Sequence, residues 1–180
     1  AYFNLSRYEE AIPFLRRYYS YDTLNTDATY FLGHALSSWY PKEEGISFLR
    51  KTIELSYPEP AFIGSLYAGM ALAKEDMNQR EEAIEYYKKA MELDPSRSDY
   101  YLQTAKLYDS RGRIDNDAAS SKLAVDYFTR YLGIEEEKLE KIMKTRNLKA
   151  DQISAPGIEY AKDRIKNIRE DLFFRGELKK

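Results

Sequence analysis

The sequence contains no cysteine, a single histidine and no long uninterrupted apolar stretch. The absence of cysteine excludes disulfides, thiolate metal sites and cysteine nucleophiles. A Ser-His-Asp site or a histidine metal cluster would have to depend on His34 alone. Because no apolar run approaches the ~18 residues that a transmembrane helix needs, the sequence predicts no membrane-spanning helix.

The chain also lacks a large excess of either charge and a recognisable targeting segment. Its 180 residues include 28 basic and 30 acidic ones, which argues against general nucleic-acid binding because that requires a positive surface. No signal peptide is evident, and the opening "AYFNLSRYEE" has no Met, so we expect a processed or truncated chain. The compartment stays open. The missing leader and the lack of cysteine favour a bacterial protein exported to the periplasm.

The segment "EEAIEYYKKAMELDP" (81–95) has the pattern of an amphipathic helix. Glu85 and Lys89 are four residues apart with the acid first, the favourable order for a surface pair. Asp94-Pro95 ends the helix, because the residue before a proline avoids the α region. We therefore interpret the polar groups as a solvated face. The apolar or small residues recur three or four positions apart, at Ala83, Ile84, Tyr87, Ala90 and Met91, with Leu93 as a further candidate.

Three other segments, 8–19, 42–58 and 121–132, repeat this pattern. In each of the four, a small residue is followed four positions later by a large one. The small residues are 34, 38 and 41 positions apart, and a period in the thirties is typical of a helical repeat array. They are Ala11, Gly45, Ala83 and Ala124.

A second helix is predicted before each of the last three, at 28–40, 64–75 and 99–112. Each contains a pair of residues with at least one small side chain, which lets a neighbouring helix approach closely. The pairs are 36 residues apart both times, whereas the small residues of the second helices are not evenly spaced. We therefore predict that the turns between the two helices differ in length, with two extra residues near 75–79 and about seven in a loop at 114–121. The pairs are Leu32-Gly33, Ala68-Gly69 and Thr104-Ala105.

With these features in phase, residues 2–133 resemble the tetratricopeptide repeat (TPR) family. Members carry Leu-Gly and an aromatic in the first helix, Ala and an aromatic in the second, and a closing Pro. The resemblance implies an all-α, right-handed α-solenoid, a superhelix of about three and a half repeats with the first one truncated. The best copy is Ala68-Gly69, Leu72, Ala83, Tyr87, Ala90 and Pro95; the next is Leu32-Gly33, Leu36, Gly45, Leu49 and Pro58; the last has Tyr108, Gly112, Ala124, Phe128 and Tyr131, with Gly133 near the place of the proline.

Two residues depart from a regular helix pattern. Gly45 stands where the other copies have Ala, which lowers helix propensity by roughly 1 kcal/mol. Pro13 lies inside a helix that a capping box at Ser6 to Glu9 would start, so it removes one hydrogen bond and should kink that helix near its beginning.

Residues 134–180 are predicted to complete the same domain. The segment 135–149 reads as a highly charged helix, 150–157 as a loop and 158–174 as a final helix. Since a solenoid needs a terminal helix with a polar outer face, we expect 158–174 to be that cap. Its apolar face is Ile158, Ala161, Ile165, Ile168 and Leu172.

Other motifs give no firm chemistry. The segment 115–120 resembles a calcium loop at Asp115 and Asp117, but Ala119 and the missing glycine do not fit, and it is interpreted as a solvated loop. The basic run 141–149 follows an acidic one and is interpreted as a surface helix. The sequon at 4–6 is a frequent chance match. We predict no cofactor, no metal site and no catalytic residue.

In proteins of the resembling family, the first helices line a concave groove that holds peptides. The resemblance therefore implies a peptide groove here with an aromatic and apolar middle, suited to a segment with hydrophobic anchors. Aromatic residues replace the Lys and Asn of the carboxylate-clamp subclass, so that clamp is not expected. The implied groove residues are Asp27, Tyr30, Phe31, His34, Ser37, Ile63, Leu66, Tyr67, Met70, Lys74, Asp99, Gln103, Lys106 and Asp109.

The favoured function is non-catalytic protein binding, as an adaptor or assembly scaffold with a protein or peptide partner. The alternative is a structural, self-associating solenoid segment of a larger protein, which would make the chain a homo-oligomer. An enzyme is disfavoured because His34 has no partner nucleophile that the sequence specifies.

Overall fold

The computed structural model describes residues 7–55, 59–147 and 155–178. Within those ranges the chain forms eight α-helices and no strand. They divide between two compact units, residues 1–94 and residues 95–180, called unit 1 and unit 2 below. The helices are α1 (Tyr8–Tyr21), α2 (Thr26–Ser38), α3 (Lys42–Leu55), α4 (Pro60–Asp76), α5 (Arg80–Leu93), α6 (Ser98–Ile114), α7 (Ala118–Arg146) and α8 (Pro156–Phe174).

In unit 1, consecutive helices run antiparallel. A Cβ added at Gly33 of α2 would lie 2.9 Å from the Leu49 nitrogen of α3, and one added at Gly45 of α3 would meet Ser37 of α2. The later residue of α2 therefore lies near the earlier residue of α3, so the two helices are antiparallel. Lys42 at the start of α3 contacts Asp76 at the end of α4, at 2.7 Å. Helices α2 and α4 are therefore parallel to each other.

The α5 prediction is confirmed for Ala83, Ile84, Tyr87, Ala90 and Met91, which are all buried, whereas Leu93 is half-buried. Their spacing places them on one face, and the chain leaves the helix at Asp94, immediately before Pro95. At Gly33 and Gly45, glycine lets α2 and α3 pack closer than any side chain would permit, which explains why Gly45 replaces the usual alanine.

Helix α1 runs through Pro13 from Tyr8 to Tyr21. Arg7 occupies the N-cap position and makes no side-chain capping bond, whereas Ser6 and the sequon at 4–6 lie outside the described residues. The predicted kink at Pro13 stays a prediction.

The structure corrects the register predicted for α4. Gly45 follows Gly33 by 12 residues, and Ala83 follows Ala71, not Gly69, by the same 12. Ala71 is fully buried, as Gly33 is, whereas Gly69 is only half-buried. No extra residues lie near 75–79. Instead α4 begins 11 residues before Ala71, while α2 begins 7 before Gly33, so four extra residues form an additional first turn at 60–63.

In unit 2, the seven extra residues predicted as a loop are mostly helical. Helix α6 extends nine residues beyond Ala105, whereas α4 extends five beyond Ala71, so α6 is longer by four residues at its end. Helix α7 begins six residues before Ala124, whereas α5 begins three before Ala83, so α7 is longer by three residues at its start. The connection is only residues 115–117, and Gly112 lets the lengthened ends meet, since a Cβ there would lie 2.9 Å from the Ser121 nitrogen.

The helical segments predicted separately at 121–132 and 135–149 are not divided at Gly133, because 118–146 is a single helix. One glycine costs a helix about 1 kcal/mol but does not end it. The second half is stabilised by i,i+4 pairs between Glu137 and Lys141 (2.7 Å) and between Glu140 and Lys144 (2.6 Å). The helix ends at Asn147, which adopts the left-handed conformation with φ of 52°.

Helix α8 has the face predicted for a cap. Ile158, Ala161, Ile165, Ile168 and Leu172 are buried, and half of the remaining positions are charged and exposed. The loop predicted at 150–157 falls mainly on residues outside the described ranges, as does Pro58.

Candidate peptide-binding surface

Four predicted residues lie on one stripe of α2. Asp27, Tyr30, Phe31 and His34 are at positions i, i+3, i+4 and i+7, which share a helix face. Asp27 is exposed, and the three rings are half-buried. The Tyr30 ring centroid lies 5.1 Å from that of Phe31, 6.1 Å from that of His34 and 5.7 Å from that of Phe62 on α4. The rings therefore form a contiguous aromatic cluster that keeps part of its surface accessible.

The His34 imidazole is packed among aromatic rings, with the Tyr8 centroid 5.8 Å away. Burial lowers the pKa of His34 below its ordinary value because the charged form loses hydration. The hydroxyl of Ser38 lies 3.5 Å from Nδ1, longer than the ~2.6–3.2 Å expected of a base that activates a nucleophile. This contact therefore does not identify a catalytic pair.

The depressed pKa of His34 predicts an acid-sensitive contribution to stability. In the unfolded chain the imidazole titrates near its ordinary pKa of ~6.5. The folded protein holds the proton less tightly, so stability is fully present above that pH and is lost as the pH falls through the folded-state pKa. We expect His34→Gln to lose less stability than wild type between pH 7 and pH 5, measured by urea unfolding. An equal loss in both proteins would contradict this assignment.

The predicted residues on α4 do not form a continuous open face. Leu66 and Met70 are buried. Tyr67 stacks on Tyr86 of α5, with centroids 6.1 Å apart, and Lys89 of α5 lies over both rings. Ile63 is half-buried in the additional first turn of α4. Sequence reasoning named these residues because it placed the α4 register two positions early.

Lys74 is a buried ion-pair centre, not a groove residue. Its Nζ lies 2.7 Å from Glu43 Oε1 of α3 and 2.8 Å from Glu82 Oε2 of α5, and it donates to Gln79 Oε1 at 2.9 Å. Burial opposes its charge, but the hydrogen bonds that Lys74 donates to Glu43 and Glu82 outweigh that effect and raise the pKa of Lys74. The lysine therefore holds three helices of unit 1 together.

The corrected register identifies a stripe that sequence reasoning missed. Gly69, Leu72 and Asp76 stand 38 residues after Phe31, His34 and Ser38, so they occupy the equivalent positions of α4. Leu72 is 51% exposed although it lies in a mostly apolar helix. The constant 12-residue spacing from Ala71 to Ala83 could have revealed this stripe. We call the surface of Asp27, Tyr30, Phe31 and His34 on α2 with Gly69, Leu72 and Asp76 on α4 the α2–α4 face.

Ser37, also predicted for the groove, is buried, and its hydroxyl donates to the His34 carbonyl at 3.1 Å. Ser37 therefore lies inside the packed part of α2 and is not available to a ligand.

The predicted residues of unit 2 lie on α6, and α8 engages two of them. Lys106 lies over the Tyr160 ring, 5.8 Å from its centroid. Asp109 is buried and accepts two hydrogen bonds from Arg164 Nη2 and one from Nε, at 2.8 to 3.1 Å. Asp99 is exposed and Gln103 half-buried. Asp109 is therefore part of the α6–α8 packing and not of an open groove.

No metal-binding group of three or more His, Asp or Glu occurs among the residues that the structure describes. In the segment that resembled a calcium loop, Asp117 caps α7 by accepting from the Ala119 and Ser120 nitrogens at 3.0 and 3.2 Å. None of the helices in the described ranges is long and apolar enough to cross a membrane.

Residues 64–97 match the family model of the tetratricopeptide repeat. These residues therefore form a tetratricopeptide repeat (TPR). The match spans 34 residues and starts directly after the additional first turn of α4, in agreement with the corrected register. The all-α helical-repeat class predicted from the sequence is confirmed by this match and by solved structures.

Three solved structures illustrate the similarity of this chain to known proteins. MamA is 27% identical with a TM-score of 0.64, over 77% of this chain and 75% of that one. A putative kinesin light chain of Podosopora anserina with nearly identical TPR-like repeats is 14% identical with a TM-score of 0.63, over 98% and 84%. YrrB, described as a TPR protein with an unusual peptide-binding site, is 14% identical with a TM-score of 0.50, over 93% and 81%. No curated protein matches the chain.

Proposed function

We propose that this chain is a non-catalytic protein-binding module, an adaptor or assembly scaffold, that holds a peptide segment on the α2–α4 face. The observation that carries the proposal is the exposure of Leu72, which occupies on α4 the position that His34 of the aromatic cluster occupies on α2. Exposed apolar side chains beside partly open rings supply the anchoring pockets that dominate peptide binding.

Two features make the α2–α4 face suitable for a chain segment. Helices α2 and α4 are parallel, so equivalent residues of the two helices stand at the same level. Gly69, the counterpart of Phe31, has no side chain, and a Cβ there would have only Leu49 Cδ1 within 4 Å. Phe31 and Leu72 are therefore the apolar side chains that we expect a bound segment to contact. The peptide-binding site named for YrrB is consistent with this use of the fold but says nothing about this chain's own ligand.

The test is a peptide-display selection on the full 180-residue chain, followed by affinity measurements on variants. We expect Phe31→Ala and Leu72→Ser each to weaken the selected peptides about tenfold or more, since each removes an apolar anchor contact. Ile114→Ser is the matched control, because Ile114 is also an exposed apolar side chain but lies in unit 2. Equal affinities for all four proteins would contradict the proposal.

The alternative, self-association, is favoured by one observation on α1. Phe14, Tyr18 and Tyr21 are exposed at positions i, i+4 and i+7 of this helix. A contiguous exposed apolar stripe of this kind is typical of an interaction surface. If the sedimentation mass of the wild-type chain rises with concentration and Phe14→Ser with Tyr21→Ser abolishes the rise, self-association replaces the adaptor function.

A further inference from the structure

The two units carry opposite net charge. Residues 1–94 contain 15 acidic and 10 basic side chains, a net charge of −5, and residues 95–180 contain 15 acidic and 18 basic ones, a net charge of +3. The near-neutral total of −2 conceals this asymmetry. Any segment that binds unit 1 therefore approaches a negative surface.

The charges on the α2–α4 face follow the same sign. Apart from His34, the one basic side chain of α2 and α4 is Lys74, which is buried between Glu43 and Glu82. Burial lowers the pKa of His34, so the imidazole adds no positive charge near neutral pH. The accessible charged groups of the face itself are Asp27 and Asp76.

These two acids lie at opposite ends of the face. Asp27 is one residue into α2, seven residues before His34, and Asp76 is the last residue of α4, four residues after Leu72. Since His34 and Leu72 are equivalent positions of parallel helices, the acids differ in height by 11 residues, roughly 16 Å along the helix axes. An extended peptide covers that distance in about five residues. Lys42 pairs with Asp76 at 2.7 Å, so Asp27 is the stronger of the two contacts.

We propose that the α2–α4 face takes a basic, hydrophobic peptide segment: two Lys or Arg residues about five positions apart, with an aromatic or large aliphatic residue between them. The apolar residue contacts Phe31 and Leu72, and one basic residue pairs with Asp27. Charge complementarity selects this occupant over acidic segments and raises its rate of association. The inference rests on the proposed function and specifies its ligand.

The test uses three synthetic, end-capped octapeptides on the full chain, measured by fluorescence anisotropy at low and high salt. The first has two lysines five positions apart with Phe-Leu between them, the second has glutamates in place of the lysines, and the third keeps the lysines but has Gly-Gly in the middle. We expect the first to bind at least tenfold tighter than either of the others, and to weaken as salt rises.

Asp27→Asn should weaken the first peptide three- to tenfold. Glu92→Gln, which removes an exposed acid of α5 away from the face, should leave its affinity unchanged. Equal effects of the two variants would overturn the inference, since the attraction would then come from overall charge alone.

The failure of the inference is distinguishable from the failure of the proposed function. If display selection yields acidic or uncharged peptides that still depend on Phe31 and Leu72, the binding face stands and the basic class is overturned. If no peptide class depends on those two residues, both are overturned. If Asp27→Asn abolishes a concentration-dependent rise in mass, the occupant is a second copy of this chain and the inference is likewise overturned.

Discussion

Replacing Gly45 with alanine is expected to lower the free energy of unfolding by about 2 kcal/mol, although alanine is the better helix former. An added Cβ would meet the backbone nitrogen of Ser37 and lie 2.7 Å from both the Leu36 carbonyl carbon and the Ser37 Cα. These are backbone atoms of a packed helix, so α2 and α3 would have to separate. The gain of roughly 1 kcal/mol in helix propensity does not offset that loss of packing.

Gly69→Ala is the matched control, since it adds the same methyl group to a helix of the same unit. Its Cβ would have only Leu49 Cδ1 within 4 Å, at an ordinary 3.6 Å. We expect this variant to be more stable than wild type by about 0.5–1 kcal/mol. Urea unfolding followed by circular dichroism measures both. A Gly45→Ala protein as stable as Gly69→Ala would contradict the close packing of α2 on α3.

Replacing Arg164 with alanine is expected to cost about 2–4 kcal/mol, because it leaves the Asp109 carboxylate buried without its principal cation. The Asp109 side chain is 5% exposed and accepts from both Nε and Nη2 of Arg164. Arg113 approaches the same carboxylate only at 3.5 Å and is itself 67% exposed. The loss should appear as faster hydrogen exchange in α8 and the part of α6 around Asp109.

Lys162→Ala is the control for this prediction. Lys162 also belongs to α8 and forms an ion pair, with Glu136 at 2.7 Å, but both side chains are at least half exposed. Exposed pairs contribute about 0–1 kcal/mol, so this variant should be nearly as stable as wild type. If the two variants lose equal stability, the buried carboxylate is not what anchors α8 to α6.

The helix pairs could be predicted from the sequence because most helices of this chain are amphipathic. In α5 and α8 the apolar residues recur at helical spacing, and the residues predicted for each buried face are buried. The small residues that mark close helix contacts were also readable for α2 and α3, where Gly33 and Gly45 lie at the contact.

The register of α4 could not be predicted in the same way, because this helix is apolar on most of its surface. Small residues occur at Ala68, Gly69, Ala71 and Ala73, so several alignments place a small residue at the helix contact. When a helix lacks a polar face, periodicity does not identify its buried side. The choice of Ala68-Gly69 as the small pair then moved the predicted stripe from Leu72 to residues that are buried or half-buried.

The lengthened ends of α6 and α7 were missed for a different reason. Residues 114–121 include Asp, Asn and Ser, which favour turns, but Asp117 also makes a good N-cap and the Ala118–Ser121 segment continues as helix once capped. Whether the segment forms a loop or continues as helix depends on the packing of Gly112 against Ser121. This is a contact between two helices, which the local sequence does not specify.

Hydrogen exchange of the full chain, with and without a saturating selected peptide, tests the α2–α4 face most directly. The account predicts slower exchange in residues 26–38 and 64–76 on binding, lost in Phe31→Ala with Leu72→Ser, while α1 and α8 remain unchanged. Protection confined to α1 or to unit 2, with no change in α2 and α4, would contradict it.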